Sequence, residues 1–252
     1  MRVLVVLPTY NEAENIGPVL GRIRAALPDG GVLVVDDGSP DGTADLAEEA
    51  GEKLGNIEVL RRSAKSGLGS AYRAGFRWGL QHGWEALVEM DADLSHEPEA
   101  LPGLVAPLAE GVDLVIGSRY VPGGSIPNWR RHRRLLSQGG NIYAAWMLGL
   151  HVTDSTSGFR AYRADALRRI DLDAVRAEGY GFQIEMVYQV LEHGGLVTEV
   201  PIRFVDRVQG KSKMSMTIVV EALLLVTWWA VRRAVRLLVR GRRAVPRVST
   251  RA

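Results

Sequence analysis

Arg2-Val-Leu-Val-Val-Leu7 and Gly31-Val-Leu-Val-Val-Asp36 are two nearly continuous apolar runs, and residues 12–27 between them carry a helical pattern. Strand, helix and strand in that order read as a β-α-β unit with parallel strands. Further runs at 57–60 (IEVL), 85–90 (EALVEM) and 113–118 (DLVIGS) alternate with helical patterns at 41–54, 68–82 and 98–110. Strands this apolar are expected where helices cover both faces of a mostly parallel sheet, so the fold class is α/β. In such folds ligands gather at the carboxyl ends of the strands. The residues that follow each strand are therefore the first candidates for chemistry.

Beyond 118 the alternation breaks. A Gly/Pro loop at 121–129 leads into Arg130-Arg131-His132-Arg133-Arg134 and then a helix over about 133–149. A loop at 153–160, a strand at 160–163, a helix over 180–193, a strand at 196–201 and a long helix over 215–240 complete the pattern. No repeat or low-complexity linker interrupts it, so residues 1–214 read as one domain and 215–252 as an appended helix with a basic tail. With 46% hydrophobic and 24% charged residues, 28 Gly and 11 Pro in 252 residues, collagen-like, disordered and coiled-coil classes are excluded. The absence of cysteine removes disulfides, thiolate metal sites and Cys nucleophiles.

The net charge of +2 conceals an asymmetry: residues 232–252 hold eight Arg and no acid, which leaves 23 basic against 29 acidic residues elsewhere. A mildly acidic body with a basic tail directs the tail toward a polyanion, either anionic lipid or nucleic acid. The tail lacks interleaved aromatics and the acids of the front half would repel a phosphate backbone, which weighs against a nucleic-acid-binding protein. MRVLVVLPTYNE has five apolar residues before Pro8, too few for a signal peptide, and reads as a first strand.

Asp91-Ala92-Asp93 follows EALVEM directly. If the strand continues through it, residues i and i+2 point the same way and both carboxylates face one hard cation, Mg²⁺ or Mn²⁺. The alternative is a turn that caps the helix starting near Pro98. Asp36-Asp37-Gly38-Ser39 also follows a strand, with Asp41-Gly42-Thr43 placed to start the next helix. Acids at this place accept hydrogen bonds from a nucleobase or ribose, whereas turn chemistry explains the glycines better than the paired acids. Gly67-Leu68-Gly69 lacks phosphate-loop spacing and is read as the start of a helix whose Ala71, Gly75 and Gly79 allow close packing.

Pro8-Thr9-Tyr10-Asn11-Glu12, Val35-Asp36-Asp37-Gly38-Ser39, Asp91-Ala92-Asp93-Leu94-Ser95-His96, Gly117-Ser118-Arg119-Tyr120 and Ser157-Gly158-Phe159-Arg160 occur in that order, followed by Asp206-Arg207 and Gly210-Lys211-Ser212-Lys213-Met214. Together they resemble glycosyltransferase family 2, and within it the polyprenol-phosphate (dolichol-phosphate) mannose synthases, over roughly residues 3–216. The resemblance implies a GT-A type nucleotide-sugar-binding fold and inverting, metal-dependent transfer of mannose from GDP-mannose to a polyprenol monophosphate. A UDP-glucose-dependent polyprenyl-phosphate glucosyltransferase is the nearest alternative.

Carried over position by position, the resemblance implies that Pro8, Tyr10, Glu12, Val35, Asp37, Ala92, Arg207 and Lys213 bind the donor. Asp91 and Asp93 would hold Mg²⁺ or Mn²⁺. Ser95 stands where the family often has a Gln ligand, and its shorter reach lets a water intervene. Arg119, Arg133 and Ser137 match the acceptor-phosphate positions, and Asp91, Asp93, Arg119 and Lys213 the catalytic ones. An acceptor phosphate is already ionised and needs no general base; an acceptor hydroxyl would need one, with Asp154 or Glu185 as candidates. His96, a lone His beside the carboxylates, is read as a hydrogen-bonded scaffold residue. Arg130, Arg131 and Arg134 are read as a solvated or membrane-facing basic surface.

Residues 222–231 are uncharged, short of the about 20 apolar residues a spanning helix needs. On a helical wheel Arg232, Arg233, Arg236, Arg240 and Arg243 form one basic stripe, with Trp228 and Trp229 suited to the headgroup level. The expected location is the cytoplasmic membrane surface, held peripherally or through a membrane-anchoring subunit.

Overall fold

The computed structural model describes residues 1–205 and 216–240, with side chains assigned through 205 and from 222 to 235. Strands β1 (Val3–Thr9), β2 (Gly31–Asp36), β3 (Ile57–Arg61), β4 (Ala86–Glu89), β5 (Leu114–Ser118), β6 (Arg160–Arg163) and β7 (Val197–Pro201) form one sheet in the order β3-β2-β1-β4-β6-β5-β7. All pairings are parallel except those of β6, which runs antiparallel to both β4 and β5. Helices α1 (Ala13–Ala26), α2 (Thr43–Leu54), α3 (Leu68–Gln81), α4 (Leu101–Ala109), α5 (Arg131–Leu148), α6 (Ala164–Arg168), α7 (Gly179–Glu192) and α8 (Met216–Arg240) surround it. The short α6 is absent from the sequence reading, because five residues are too few to show a helical period.

Period-two alternation along the strands builds two cores. Leu4, Val6, Leu33, Val35, Leu87 and Ile116 join the cluster under α3, α5, α7 and α8. Val3, Val5, Leu7, Val32, Val34 and Val88 join the one under α1 and α4. Both faces are covered, which is why these strands read as unbroken apolar runs. Helix α3 lies close on the sheet at its glycines: a Cβ on Gly79 would stand 2.5 Å from Leu87 Cδ2, and one on Gly75 would run into Val6 Cγ1. Gly75→Leu should therefore lower stability by about 2–3 kcal/mol through overpacking, measurable as a lower midpoint in a denaturant titration with unchanged slope.

Because β1 pairs on one side with β2 and on the other with β4, the crossovers diverge at the carboxyl ends of β1 and β4. That divergence opens a crevice. Helix α8 packs against α5 and α7, burying Val226 and Trp229 in the core. Among the described residues no helix is long and apolar enough to cross a membrane.

Candidate active site

A cavity of about 570 Å³ lies in that crevice, and its lining gathers residues from distant parts of the chain. Pro8, Tyr10 and Glu12 come from the end of β1, Asp37 from the end of β2, and Asp91, Ala92, Asp93 and Ser95 from the turn after β4. Arg119 follows β5 and Arg133 lies in the first turn of α5. Ten of the sequence-predicted site residues thus share one space. Val35 does not: it is fully buried in the core below. Ser137 lies outside the lining too, and its hydroxyl accepts a 2.8 Å hydrogen bond from Tyr120. Arg207 and Lys213 lie outside the described residues. Val205, the last described residue before them, donates its N–H to the Ser95 carbonyl at 3.1 Å.

The adjacent acids at 36 and 37 divide the two readings between them. Asp36 accepts hydrogen bonds from the Thr9 hydroxyl (2.9 Å) and from the Ser39 N–H (2.8 Å), which fixes the turn and ties β1 to β2. Asp37 faces the cavity, paired with Arg62 at 2.8 Å and receiving the Ser66 N–H at 3.0 Å. Asp41 accepts the N–H groups of both Thr43 and Ala13 at 3.1 Å, so it bridges the starts of α2 and α1; the N-cap position of α2 itself is Gly42, at φ +83°.

Asp91 and Asp93 do reach the same cavity, but not as a continuation of the strand. β4 ends at Glu89 and the chain bends, with Leu94 in the left-handed region at φ +59°. The physical cause is a side-chain turn: Asp93 Oδ1 accepts the Ser95 N–H at 3.0 Å, which competes with an extended backbone. Asp91 Oδ1 accepts the Tyr72 hydroxyl at 3.3 Å, and burial, then the charges of Asp91 and Glu89, push Tyr72 well above its ordinary pKa so that it remains a donor. The Asp91 N–H donates to His96 Nδ1 at 3.3 Å, and the His96 ring stacks on Phe159 at 5.0 Å. His96 is thus held by a hydrogen bond and a ring stack, and it also lines the cavity.

The donor set fits a hard divalent cation. Two carboxylates line the cavity beside Ser95, whose Oγ is buried without a hydrogen-bond partner among the described residues. Among those residues no group of three His, Cys, Asp or Glu is assembled. A cation here would have to complete its shell with substrate oxygens and water, the usual behaviour of Mg²⁺ and Mn²⁺.

Opposite in charge is Arg119, nearly buried and held by Asp154 through Nε (2.7 Å), Nη2 (2.6 Å) and the backbone N–H (3.0 Å). Burial alone would raise the Asp154 pKa, yet the charge and hydrogen bonds of Arg119 outweigh it and hold the carboxyl below its ordinary value. Trp129 and Phe204 each lie 5.5 Å from the Arg119 guanidinium, and Trp129 also stacks under Arg133 at 4.0 Å. Asp154 is wholly buried and Glu185 lines a different cavity between α7 and α8. Neither candidate base faces this site. Arg130, Arg131 and Arg134 are exposed, as expected.

Several lining residues have no motif to announce them: Lys65, which sits over the Tyr10 ring at 4.1 Å, Trp129, Thr156, Glu178, Tyr180 and Gln183. Glu178 crosses from the start of α7 to accept the Gly69 and Ser70 N–H groups at 2.7 and 3.1 Å. It caps α3 from outside, a pairing separated by more than a hundred residues that no local pattern reveals. Glu178→Ala should cost about 1–2 kcal/mol by leaving those N–H groups and Arg73 without their partner, seen as a lowered thermal midpoint. Arg160, fully buried, donates to the carbonyls of Ser155, Ser157 and Gln183, each at 2.6 Å, and so pins the 153–159 loop to α7.

A parallel-rich sheet with this cavity at the ends of β1, β4 and β5 defines a nucleotide-sugar-transferase fold of the GT-A type. Solved structures of that kind share it: a mannosyl-3-phosphoglycerate synthase from Rubrobacter xylanophilus (TM-score 0.66, 22% identity, covering 98% of this chain and 77% of that one). A glucosyl-3-phosphoglycerate synthase from Mycobacterium tuberculosis, solved with Mn²⁺ and UDP-glucose, is similar (TM-score 0.65, 22% identity, 91% and 78%). The family model described as glycosyl transferase family 2 matches residues 4–171, and the chain belongs to that family. It is 54% identical over 229 residues to an undecaprenyl-phosphate mannosyltransferase of Micrococcus luteus, covering 91% of this chain and 94% of the relative. It is 49% identical over 232 residues to a polyprenol monophosphomannose synthase of Mycolicibacterium smegmatis, covering 92% and 88%.

Proposed function

We propose that this glycosyltransferase moves mannose from GDP-mannose to the phosphate of a polyprenol monophosphate, with inversion and with a divalent cation. The observation that carries the reading is the pairing, in one cavity, of Asp91 and Asp93 with Arg119 and Arg133 while both candidate bases lie outside it. Cations fixed in the cavity, with Asp154 and Glu185 both outside it, suit an acceptor that is already an anion. The substrates named for the two curated relatives agree, and a mannosyltransferase from Pyrobaculum calidifontis, 18% identical and TM-score 0.58, was solved with GDP-Man and Mn²⁺.

In this reading Pro8, Tyr10, Glu12 and Asp37 receive the nucleoside at the ends of β1 and β2, and Arg207 and Lys213 complete the donor site. Asp91 and Asp93 would hold the cation, which would supply charge neutralisation for the donor diphosphate and the departing nucleoside diphosphate. Arg119 and Arg133 hold the acceptor phosphate against the repulsion between two anions, aided by the amino end of α5, whose dipole also favours an anion. Asp154 keeps the Arg119 guanidinium in place, and Ser137 accepts a hydrogen bond from the hydroxyl of Tyr120, whose ring lies against that guanidinium. Reaction then needs position and charge compensation only, in one displacement at the anomeric carbon.

The test is a transfer assay with labelled GDP-mannose or UDP-glucose, polyprenyl phosphate, and Mg²⁺, Mn²⁺ or EDTA. Metal-dependent label in the organic phase from GDP-mannose alone is expected. Label from UDP-glucose would overturn the donor, and label unaffected by EDTA would overturn the metal.

Membrane-surface location is proposed with it. Exposed Leu135, Ile142 (69%) and Trp146 (78%) on α5 and Leu224 (66%), Trp228 and Val231 on α8 leave two packed helices with apolar residues turned outward. The basic stripe of the sequence reading is altered: Arg232 stays exposed over Trp228, but Arg233 turns inward to the Leu148 carbonyl at the end of α5, where a helix terminus attracts a cation. Trp229 is likewise buried rather than at a headgroup level, because it lies a hundred degrees around the helix from Trp228. Arg236, Arg240 and Arg243 have no described side chains. Trp146→Glu with Leu224→Glu should reduce sedimentation with anionic vesicles several-fold while leaving thermal stability within about 0.5 kcal/mol. Unchanged sedimentation would transfer the membrane role to a partner subunit or to the tail.

A further inference from the structure

Gln183 sits in the first turns of α7, and its side chain lines the cavity although the residue is only 2% exposed. Both of its amide atoms, Nε2 and Oε1, are buried without a hydrogen bond of normal geometry among the described residues. A buried amide left this way costs stability that a ligand can return. Its backbone is fixed, since Arg160 donates to the Gln183 carbonyl at 2.6 Å, so the side chain is presented from a rigid element. Even with one N–H given to Glu89, which interacts with Gln183, the second N–H and the carbonyl oxygen remain for the cavity.

The floor at this point is Gly158. A Cβ there would meet Gln183 Nε2 at 3.6 Å, Asp91 Oδ2 at 3.9 Å and His96 Cε1 at 3.9 Å, so the amide and the carboxylate flank one small open spot. If Asp91 faces the cation on the donor diphosphate, the group bonded next to that diphosphate is the hexose. A carboxamide offers a donor and an acceptor side by side, which matches a pair of neighbouring sugar hydroxyls.

We propose that Gln183 is a specificity-determining residue that reads hydroxyl groups of the transferred hexose in the pocket over Gly158. The inference rests on the nucleotide-sugar reading above and adds to it a residue for sugar choice. A pocket built to hydrogen-bond a hydroxyl discriminates strongly against analogues that lack it.

The experiment compares wild type with Gln183→Met, which keeps the volume, and Gln183→Ala, each titrated with GDP and with GDP-mannose and assayed with monodeoxy GDP-mannose donors. GDP carries no hexose, so its affinity should be unchanged in both variants, which also shows that they are folded. GDP-mannose should bind or turn over about tenfold worse. At least one monodeoxy donor should be penalised in wild type and not further penalised in the variants. Equal weakening of GDP and GDP-mannose, or the same deoxy penalties in variant and wild type, would overturn the inference while leaving mannosyl transfer by wild type intact. Wild type that gains nothing from the mannosyl group of GDP-mannose would overturn the donor reading and this one with it.

Discussion

If Asp91 and Asp93 hold the cation as proposed, Asp91→Asn and Asp93→Asn should each lower metal-dependent sugar transfer by at least about 100-fold, because each would remove a charged ligand from a set with two carboxylates among the described residues. The amide keeps the shape of the turn. Asp93→Asn retains a carbonyl oxygen for the Ser95 N–H, and Asp91→Asn retains one for the Tyr72 hydroxyl, so the thermal midpoint should move little. Raising Mn²⁺ or Mg²⁺ should recover part of the loss, since weaker metal affinity is answered by mass action. Near-normal turnover in both variants, with the EDTA sensitivity of wild type preserved, would remove these carboxylates from the metal site.

Asp154→Ala should destabilise the protein by about 3–5 kcal/mol, the largest effect on folding expected here. The substitution strands the nearly buried Arg119 guanidinium, and an uncompensated charge in the interior costs far more than the pair is worth. It also removes acceptors used by the Arg119 backbone N–H and by Asn141. Asp154→Ala combined with Arg119→Met should recover much of that stability and none of the transfer activity, which separates the pair's structural role from the function of Arg119. The pH dependence has a defined sign. The folded state holds the Asp154 pKa below its ordinary value. Its contribution is therefore complete above the unfolded value near 4 and disappears as pH falls through the lower folded value. Wild type should lose stability in that acidic range, and the double variant should lose less. Identical acid unfolding curves for the two would place the acid sensitivity elsewhere.

Much of this molecule is written in local patterns. Each of the seven strands was legible within about two residues; for β1, β2, β4 and β5 the reason is that runs buried on both faces leave continuous apolar signatures. The acids after β2 and β4 were legible as candidates because the ends of parallel strands are where ligands bind. The β6 strand was visible as a strand, but its reversal was not. An antiparallel strand inserted between β4 and β5 depends on pairing partners far along the chain, Glu89 with Arg160 and Ile116 with Arg160.

The site shows the same division. Spacing singled out Asp91 and Asp93, and the family resemblance added Arg119 and Arg133, yet the spacing argument expected an extended Asp-x-Asp where the structure has a side-chain turn. It also left Asp154 and Glu185 open as bases, and only packing removed them: one is sealed under Arg119 and the other opens to a separate cavity. Lys65, Trp129, Glu178 and Gln183 carry no spacing signal at all, because they enter the cavity from loops and helices whose placement follows from how α3, α5 and α7 dock on the sheet. By itself the sequence determined the layers, the strand ends and the charged residues that gather there, since these follow from local periodicity and residue chemistry. The tertiary structure alone decided which of those groups face one another, which are sealed away, and which neutral side chains complete the cavity, since burial and pairing are properties of contacts between distant segments.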